Sequence, residues 1–178
     1  KARTKSCGQV MKLSTLNQLP KPAFTQTLGA IFEHSPWVAE GAYAAAPFAN
    51  LESLHTAMVS VVDQASLDQQ LALIRAHPDL AGKAALAGEL TAESTSEQKG
   101  AGLDRLSADE FAKFHRLNDA YQAKFTFPFI IAVRGHDRHS ILAAFETRLL
   151  NDAESERAEA LRQIARIAGF RLADLLKD

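Results

Sequence analysis

Helical spacing of the apolar residues restricts the fold of this chain more than any other feature of its sequence. After Ser107, apolar side chains recur every three or four positions, at Phe111, Phe114, Leu117, Tyr121 and Phe125. Ser107 precedes Glu110 by three residues, which is the spacing of a capping box at a helix start. The pattern predicts an amphipathic helix with one buried face.

Other helix starts carry similar signals. Ser66 pairs with Gln69 before the stretch LDQQLALIRA. Ser35 is followed by Pro36, which suits the first helical position because the N–H that proline lacks has no helical partner there. Three further helices are expected to start at Ser94, at Ser140 and at Asp152.

One segment departs from helical spacing. FTFPFIIAV, residues 125–133, is continuously apolar and is interrupted by Pro128. A single segment of this kind cannot form a sheet, because a strand needs partners for its backbone groups. We expect an extended or helix-starting segment buried among helices. The predicted fold class is therefore all-α, a single-domain multi-helix bundle of about seven to nine helices.

Length and charge exclude several classes of protein. A chain of 178 residues is long enough for one domain with a proper core. Its formal net charge of −1 argues against a nucleic-acid partner, which needs clustered excess Lys and Arg. No apolar run approaches the roughly 20 residues of a membrane helix. We expect a soluble protein with neither a nucleic-acid nor a membrane partner.

The ends of the chain suggest the limits of the domain. KARTKSCGQV, residues 1–10, is basic and polar and lacks the apolar centre of a secretory signal. We interpret it as a leader, disordered or artificially added before a natural start at Met11, and assign residues 11–178 to the helical domain. Cys7 is the only cysteine, so no disulfide and no cysteine-based metal site are expected. The final LLKD is not a peroxisomal or endoplasmic-reticulum address, and we expect a cytoplasmic location.

His77, in the stretch IRAHPDLAGK, is the first candidate for chemistry. Pro78 pushes the residue before it out of the α region, so the helix from Ser66 should end at about His77. The helix dipole would favour a protonated imidazole at that carbonyl end, which suits a proton donor near neutral pH. The alternative is structural: His77 stops one helix and Asp79 caps the next. The residues alone leave both open.

The stretch STSEQ, residues 94–98, is a second candidate. A capping box explains Ser94 and Glu97 but leaves Gln98 without a role. The N–H groups at a helix start also form a natural anion site. A substrate carboxylate could dock there, or the segment could only cap a helix.

Two histidines and two arginines complete the candidates. His136 and His139 have the spacing of metal ligands on a helix, but their polar surroundings favour a solvated loop, and we expect no metal site. A helical wheel puts Arg171 about 60° from the centre of the last helix's apolar stripe. Its guanidinium there either pairs with a carboxylate or clamps an anionic ligand. Arg134 is a further candidate beside the apolar segment.

Five short motifs together resemble a known family. They occur in order as SPW (35–37), HPDL (77–80), STSEQ (94–98), FPF (127–129) and FRLADL (170–175). In this combination the chain resembles the 2-oxo-4-hydroxy-4-carboxy-5-ureidoimidazoline (OHCU) decarboxylases, which act last in the purine-degrading route from urate to allantoin. The resemblance implies an all-helical lyase without a cofactor, commonly a homodimer, that converts OHCU to (S)-allantoin and CO2.

The resemblance also implies roles for individual residues. His77 would be the catalytic acid/base, and Glu97 would hold the substrate or the imidazole. Arg171 would engage the substrate as a cation. The substrate would be lined by Pro78, Ser94, Gln98, Phe129, Ile130, Ile131, Ala132 and Val133.

Two alternative functions stay open at this point. The motifs could be caps and turns of a non-catalytic helical interaction domain whose apolar grooves receive a partner. The scaffold could also belong to a related enzyme that acts on another ureido or imidazole compound. The decarboxylase hypothesis needs neither metal nor cofactor, because the ring C=N of OHCU can accept the electron pair that CO2 leaves behind.

Overall fold

The computed structural model describes residues 10–178, without the side chain of Ala84. Apart from Val10, the expected leader with Cys7 lies outside these residues. Backbone contacts divide the chain into two compact units. The first comprises the described residues up to Ala65 together with Ile167–Asp178, and the second is Ser66–Arg166. The single-domain organisation stays a prediction.

Helices form most of the first unit. In chain order it contains β1 (Met11–Lys12), α1 (Leu13–Leu16), α2 (Lys21–Leu28), α3 (Pro36–Ala42), a 3-10 turn (Tyr43–Ala45) and α4 (Leu51–Asp63). Ser35 is the N-cap of α3 with Pro36 at its first position, as predicted. Phe24, Leu54 and Met58 are completely buried in the core of this unit.

The two ends of the first unit lie side by side. β1 pairs in parallel with β2 (Leu176–Lys177), and Met11 is opposite Leu176. Asp178 accepts a hydrogen bond of 3.1 Å from the backbone N–H of Leu51 through Oδ1. Two-residue strands carry no alternating pattern, so the periodicity of the sequence does not predict them.

The second unit is also helical. It contains α5 (Leu67–Arg75), α6 (Lys83–Ala87), α7 (Ala92–Gly100), α8 (Ala108–Phe125), α9 (Arg138–Arg148) and the part of α10 (Ala153–Leu175) up to Arg166. The ten α-helices of residues 10–178 confirm the all-α class. They outnumber the expected helices because α1 and α6 have only four and five residues. None of these helices is long and apolar enough to cross a membrane.

The predicted starts of two helices in this unit are confirmed. Ser66 caps α5 through a capping box with Gln69, and Ser107 caps α8 by accepting a hydrogen bond from the N–H of Glu110. These are the short polar side chains that satisfy N–H groups without a helical partner.

Two other predicted starts are wrong by three residues. α7 begins after Thr91 rather than Ser94, and α9 begins after Asp137 rather than Ser140. The earlier residue accepts the backbone N–H of the serine in each case, at 3.2 Å for Thr91 and 2.9 Å for Asp137. Where two capping residues stand three apart, the first one starts these helices and the second lies in the first turn.

Tyr121 on α8 occupies the centre of an aromatic cluster in the second unit. Its buried ring meets the rings of Phe127, Phe129 and Phe145 at 6.0, 5.4 and 5.9 Å between centroids. Phe129 and Phe145 stack at 3.8 Å. Residues 127–133 are buried and form neither helix nor strand, which confirms a buried apolar segment outside the helices. The first two residues of the predicted segment differ, since Phe125 ends α8 and Thr126 is exposed.

Candidate active site

His77 lies just beyond the C-terminal end of α5. The helix ends at Arg75, and the His77 side chain is buried, with 8% exposed. Its Nδ1 lies 3.0 Å from the carbonyl oxygen of Leu73, which belongs to the last turn of α5. Because a carbonyl only accepts, Nδ1 carries the hydrogen, and Nε2 is the basic nitrogen of the neutral ring. The prediction that this imidazole lies at the carbonyl end of the helix is confirmed.

The chain turns tightly after His77, over residues 78–82, which we call the His77 turn. Ala81 has a φ of 51°, in the left-handed region that residues with side chains rarely adopt. A Cβ added to Gly82 would lie 2.7 Å from the Cβ of Asp79. α6 begins only at Lys83. The alternative in which Asp79 caps that helix is therefore wrong.

Two amide side chains hold the His77 turn. Gln98 on α7 accepts a hydrogen bond from the N–H of Ala81 at 3.0 Å and donates to the carbonyl of Asp79 at 3.3 Å. Asn118 on α8 donates through Nδ2 to the carbonyl of Leu80 at 2.9 Å. Three consecutive residues of the turn are thus bonded to two helices.

Helix α7 brings Ser94, Glu97 and Gln98 together. Ser94 and Gln98 are buried, at 4% and 7% exposed, and Glu97 is half-buried. The predicted anion site assumed a helix start at Ser94 with free N–H groups. Because the helix starts three residues earlier, the N–H of Ser94 is bonded to the hydroxyl of Thr91 at 3.2 Å, and the N–H of Thr95 to the carbonyl of Thr91 at 2.9 Å. No helix therefore starts at Ser94, and the helix start that the predicted anion site needed is absent there.

The apolar segment is fixed by bonds to its backbone. The carbonyl of Ile130 accepts from Nη1 of Arg148 at 2.5 Å, and the N–H of Ala132 donates to Oε1 of Gln163 at 3.0 Å. The Arg148 guanidinium also lies over the Phe129 ring, 4.4 Å from its centroid. These contacts set the path of residues 129–133, five of the predicted substrate-lining residues.

A second link joins the end of α5 to the start of this segment. Arg75, two residues before His77, donates through Nε to the carbonyl of Thr126 at 3.2 Å. Thr126 ends α8 in the left-handed conformation, with φ 64°. Helix α8 therefore holds the His77 turn through Asn118 and meets the end of α5 at its own C-terminus.

A buried carboxylate, that of Glu156, supports the apolar segment through Arg148. Glu156 is completely buried and accepts hydrogen bonds from Tyr121 at 2.5 Å, from Nε of Arg148 at 3.0 Å and from Asn151 at 2.9 Å. Charge-assisted bonds of this kind compensate the cost of burying a carboxylate. The Glu156 carboxylate fixes the Arg148 side chain, and Arg148 in turn fixes the carbonyl of Ile130.

Sequence reasoning missed Arg148, Glu156, Gln163 and Asn118. A signal existed for the first two. Arg148 lies three residues after Phe145 and Glu156 lies four before Ala160, so both continue apolar stripes of their helices. A charge in such a position is a candidate for a buried pair.

Arg171 belongs to the first unit. Its side chain is 6% exposed, and Nη1 donates to Oε2 of Glu33 at 2.8 Å and to the carbonyl of Ala30 at 3.1 Å. Glu33 is itself buried. Of the two roles that the sequence left open, a carboxylate partner is thus present, while engagement of a substrate stays a prediction.

Two ionisable groups near these residues have displaced pKa values. Partial burial raises the pKa of Asp79, the negative charge of Asp119 raises it further, and His115 partly offsets the shift. Much of the Asp79 side chain still reaches the surface. Burial also raises the pKa of Tyr121 well above 10.0, and its hydrogen bond to Glu156 adds to the shift.

The remaining histidine pair does not lie in one loop as predicted. His136 is in a loop, 3.0 Å from the hydroxyl of Ser140, but His139 is exposed in the first turn of α9. Within residues 10–178, no three side chains of the metal-binding types gather at one place.

A cavity of about 650 Å³ lies beside the His77 turn in the second unit. Its walls are mainly apolar and include Leu103, Leu106 and Phe111. Ala81 and Gln98 border it, whereas His77 does not. Polar side chains also line this cavity, Lys99 and Asp104 among them, but no histidine does. We therefore take the surroundings of His77, not this cavity, as the candidate active site.

Comparison with known proteins identifies the family of this chain. Residues 17–173 match the family model for OHCU decarboxylase. The chain is 40% identical over 164 residues to the 2-oxo-4-hydroxy-4-carboxy-5-ureidoimidazoline decarboxylase of Haloferax volcanii, covering 92% of this chain and 95% of that protein. Together with the all-helical fold, these matches define the class of the protein, a carboxy-lyase. The chain belongs to the OHCU decarboxylase family.

Two longer proteins are also similar. The chain is 42% identical over 166 residues to the uric acid degradation bifunctional protein PucL of Bacillus subtilis, but spans only 33% of its length. The crystal structure of (S)-allantoin synthase matches with a TM-score of 0.74 and 32% identity, over 94% of this chain and 54% of that one. The chain therefore corresponds to one part of these relatives.

Proposed function

We propose that this chain decarboxylates OHCU to (S)-allantoin and CO2, the last step from urate to allantoin. The observation that carries the proposal is the match to a decarboxylase of nearly the same length in Haloferax volcanii, at 40% identity. The aligned region covers 95% of that relative, so nearly all of its length has a counterpart in this chain.

The reaction requires one electron acceptor and three proton transfers. When the C4–carboxylate bond breaks, its electron pair forms a C4=C5 double bond, and the C5=N1 pair moves to N1, which takes a proton. The resulting enol then gains a proton at C5, the carbon that bears the ureido group, and loses its hydroxyl proton to form the C4 carbonyl. Delivery of the C5 proton from one face gives one enantiomer.

His77 is our candidate for the acid/base. Its hydrogen bond to Leu73 leaves Nε2 as the ring nitrogen that gains and loses a proton. Burial limits the ring to few orientations, so a proton would leave from one direction. Both properties suit protonation of a planar enol on a single face.

The polar residues of α7 have separate proposed roles. Glu97, half-buried, would orient the substrate or the imidazole, and Ser94 would bind the substrate with Pro78 packed beside it. Gln98 uses one amide hydrogen and its oxygen on the His77 turn. An amide has two hydrogens, so the second can bind a substrate carbonyl.

The apolar segment would supply backbone donors and a dry wall. The N–H of Ala132 already donates to Gln163. We therefore assign hydrogen bonds with the substrate to the neighbouring N–H groups of Ile131 and Val133, while Phe129 and Ile130 shield the site from water. Donors held in place before the reaction stabilise developing negative charge without reorganisation.

The roles of Arg171 and of assembly complete the proposal. Arg171 would engage the substrate as a cation while paired with Glu33. We also propose a cytoplasmic homodimer that needs no cofactor. Light scattering tests the dimer, and cell fractionation tests the location. Dialysis against a chelator tests the need for a metal cofactor, and we expect an unchanged rate of OHCU decay.

Freshly generated OHCU tests the activity directly. With the protein present, its ultraviolet signal should decay faster than the spontaneous reaction, and circular dichroism should show (S)-allantoin rather than a racemate. Decay at the spontaneous rate at every protein concentration would favour the non-catalytic interaction domain. Turnover of another ureido or imidazole compound instead would favour the related enzyme.

A further inference from the structure

Asn118 has no place in any of the sequence motifs, yet it is bonded to the turn that follows His77. It lies on α8, is 7% exposed, and donates to the buried carbonyl of Leu80 at 2.9 Å. We propose that Asn118 is a positioning residue that fixes the His77 turn and thereby the direction in which the imidazole delivers its proton. This inference rests on the proposed decarboxylase function.

The turn needs such a bond because its local conformation is unfavourable. Ala81 adopts a left-handed φ of 51°, and no Cβ fits at Gly82 without displacing Asp79. A backbone of this kind persists only when its surroundings hold it. The holding groups are the amides of Gln98 and Asn118.

The path from Asn118 to His77 is short. Leu80 is three residues after His77, and Pro78 between them has a fixed φ. The other side of His77 is fixed by its ring contact to Leu73 and by its N–H bond to Ile74 at 3.2 Å. With both sides held, the imidazole has one orientation. Without the bond to Leu80, the turn can relax and the ring with it.

A substitution of Asn118 is easier to interpret than a substitution of Gln98. Gln98 is a proposed substrate ligand as well as a clamp, so its substitution would mix two effects. The Oδ1 of Asn118 is buried without a hydrogen-bond partner within residues 10–178, and its amide reaches the turn through Nδ2 alone. Loss of that single donor isolates the positioning effect.

The chain offers a matched control in the first unit. Asn17 clamps a loop in the same way, through hydrogen bonds of 2.9 and 2.8 Å to the carbonyl and the N–H of Phe48. Asn118→Leu and Asn17→Leu each remove an amide clamp and keep the side-chain volume similar. Both should lower Tm.

Only Asn118→Leu should change the chemistry. We expect kcat to fall about 10- to 100-fold, as for a misplacement of about 1 Å, with KM changed less than about threefold. Nitrogen-15 NMR of the imidazoles, with the His77 signals assigned by their loss in His77→Asn, should change from the Nδ1–H tautomer to a mixture. Asn17→Leu should keep both readouts of the wild type.

The outcomes separate this inference from the proposed function. An Asn118→Leu protein with unchanged kcat and unchanged His77 signals overturns the positioning role, as does an equal loss of kcat in Asn17→Leu. If Asn118→Leu does not fold, Asn118→Ser is measured in the same way and decides. If the wild type itself lacks decarboxylase activity, the proposed function fails, and the NMR comparison alone decides the role of Asn118.

Discussion

The Nδ1 of His77 lies 3.0 Å from the carbonyl oxygen of Leu73 at the end of α5. This contact assigns the ring hydrogen to Nδ1 and leaves proton transfer to Nε2. His77→Asn keeps a polar side chain of similar reach but cannot carry a proton at neutral pH. We expect decarboxylation above the spontaneous rate to fall about 10²- to 10⁴-fold, measured by ultraviolet decay of OHCU.

The exposed His139 provides the control for this substitution. It lies in the first turn of α9, and His139→Asn should retain the wild-type rate. Far-ultraviolet circular dichroism should be the same for both variants. Full turnover by a folded His77→Asn protein would exclude His77 from the mechanism.

Substitutions of Glu97 and Thr91 distinguish a catalytic role on α7 from helix capping. Glu97 lies in the middle of the helix and is half-buried, so Glu97→Gln should change the free energy of unfolding by no more than about 0.5 kcal/mol. Its kcat should fall about tenfold or more if the carboxylate orients the reacting groups. Thr91→Ala removes the cap and should cost about 1 kcal/mol of unfolding free energy.

Thermal unfolding and steady-state kinetics on the same two variants make the comparison. Thr91→Ser, which keeps the capping oxygen, should restore the stability lost in Thr91→Ala. A purely structural Glu97 would give the opposite result for Glu97→Gln: a lower Tm at an unchanged rate.

The carboxyl of Asp79 should oppose folding at neutral pH. Its pKa is raised in the folded protein, mainly by burial, so the folded state disfavours its ionised form. This group's contribution to stability is complete below its ordinary pKa of 3.8 and is lost as the pH rises through the folded value. Asp79→Asn should therefore raise Tm at pH 7, on the order of 1–2 °C because solvent screens a partly exposed group.

Measurement of Tm against pH tests this assignment. The difference between Asp79→Asn and the wild type should disappear below about pH 3.8, where both side chains are neutral. A lower Tm for Asp79→Asn at pH 7 would mean that the carboxylate stabilises the turn.

The hydrogen bond from Tyr121 to Glu156 should dominate the alkaline stability of the chain. Tyr121→Phe should cost about 1–3 kcal/mol of unfolding free energy, since the acceptor is a buried charge. The pKa of Tyr121 is raised, so its contribution is complete below 10.0 and falls at higher pH as the unfolded chain ionises first. Chemical denaturation at pH 8 and at pH 11 should show this loss in the wild type and less of it in Tyr121→Phe.

The other tyrosine is a natural control. Tyr43 is half-buried against Phe24, and Tyr43→Phe should change the unfolding free energy by at most about 0.5 kcal/mol. Equal losses for both tyrosines would contradict a special role of the Glu156 bond.

Arg148 should be the most sensitive residue of the buried network. Arg148→Met leaves Glu156 buried without its cation and should cost about 3–5 kcal/mol, measured by urea unfolding. Arg148→Lys keeps the charge but cannot bond Glu156 and the carbonyl of Ile130 together, so it should recover only part of that loss. Full recovery by lysine would show that charge alone matters.

Much of the helical fold could be predicted because its signals are local. Periodic apolar residues and capping serines lie within one or two helical turns of each other, which is why α5 and α8 start where the sequence indicates. Ser94 and Ser140 were misassigned because Thr91 and Asp137, three residues earlier, cap equally well. Spacing alone does not decide between two competent caps.

The candidate site was only partly predictable for a related reason. His77 carries a local signal in the proline that follows it, and its helix-end location was predictable. Asn118, Gln163 and Glu156 act on residues 31 to 38 positions away, and that distance is set by tertiary packing. Gln98 had no local explanation, because its partners lie in the turn 17 and 19 residues before it.

The parallel pairing of Met11 with Leu176 has a consequence for engineering. Because these strands are parallel, Val10 and Asp178 lie at opposite ends of the pair, so a linker of about a dozen residues rather than a tight turn would join them. A circularly permuted gene could therefore close this seam and open the chain at an exposed loop tip instead. In such a protein the segment that joins Asp178 to Val10 would be an ordinary surface loop.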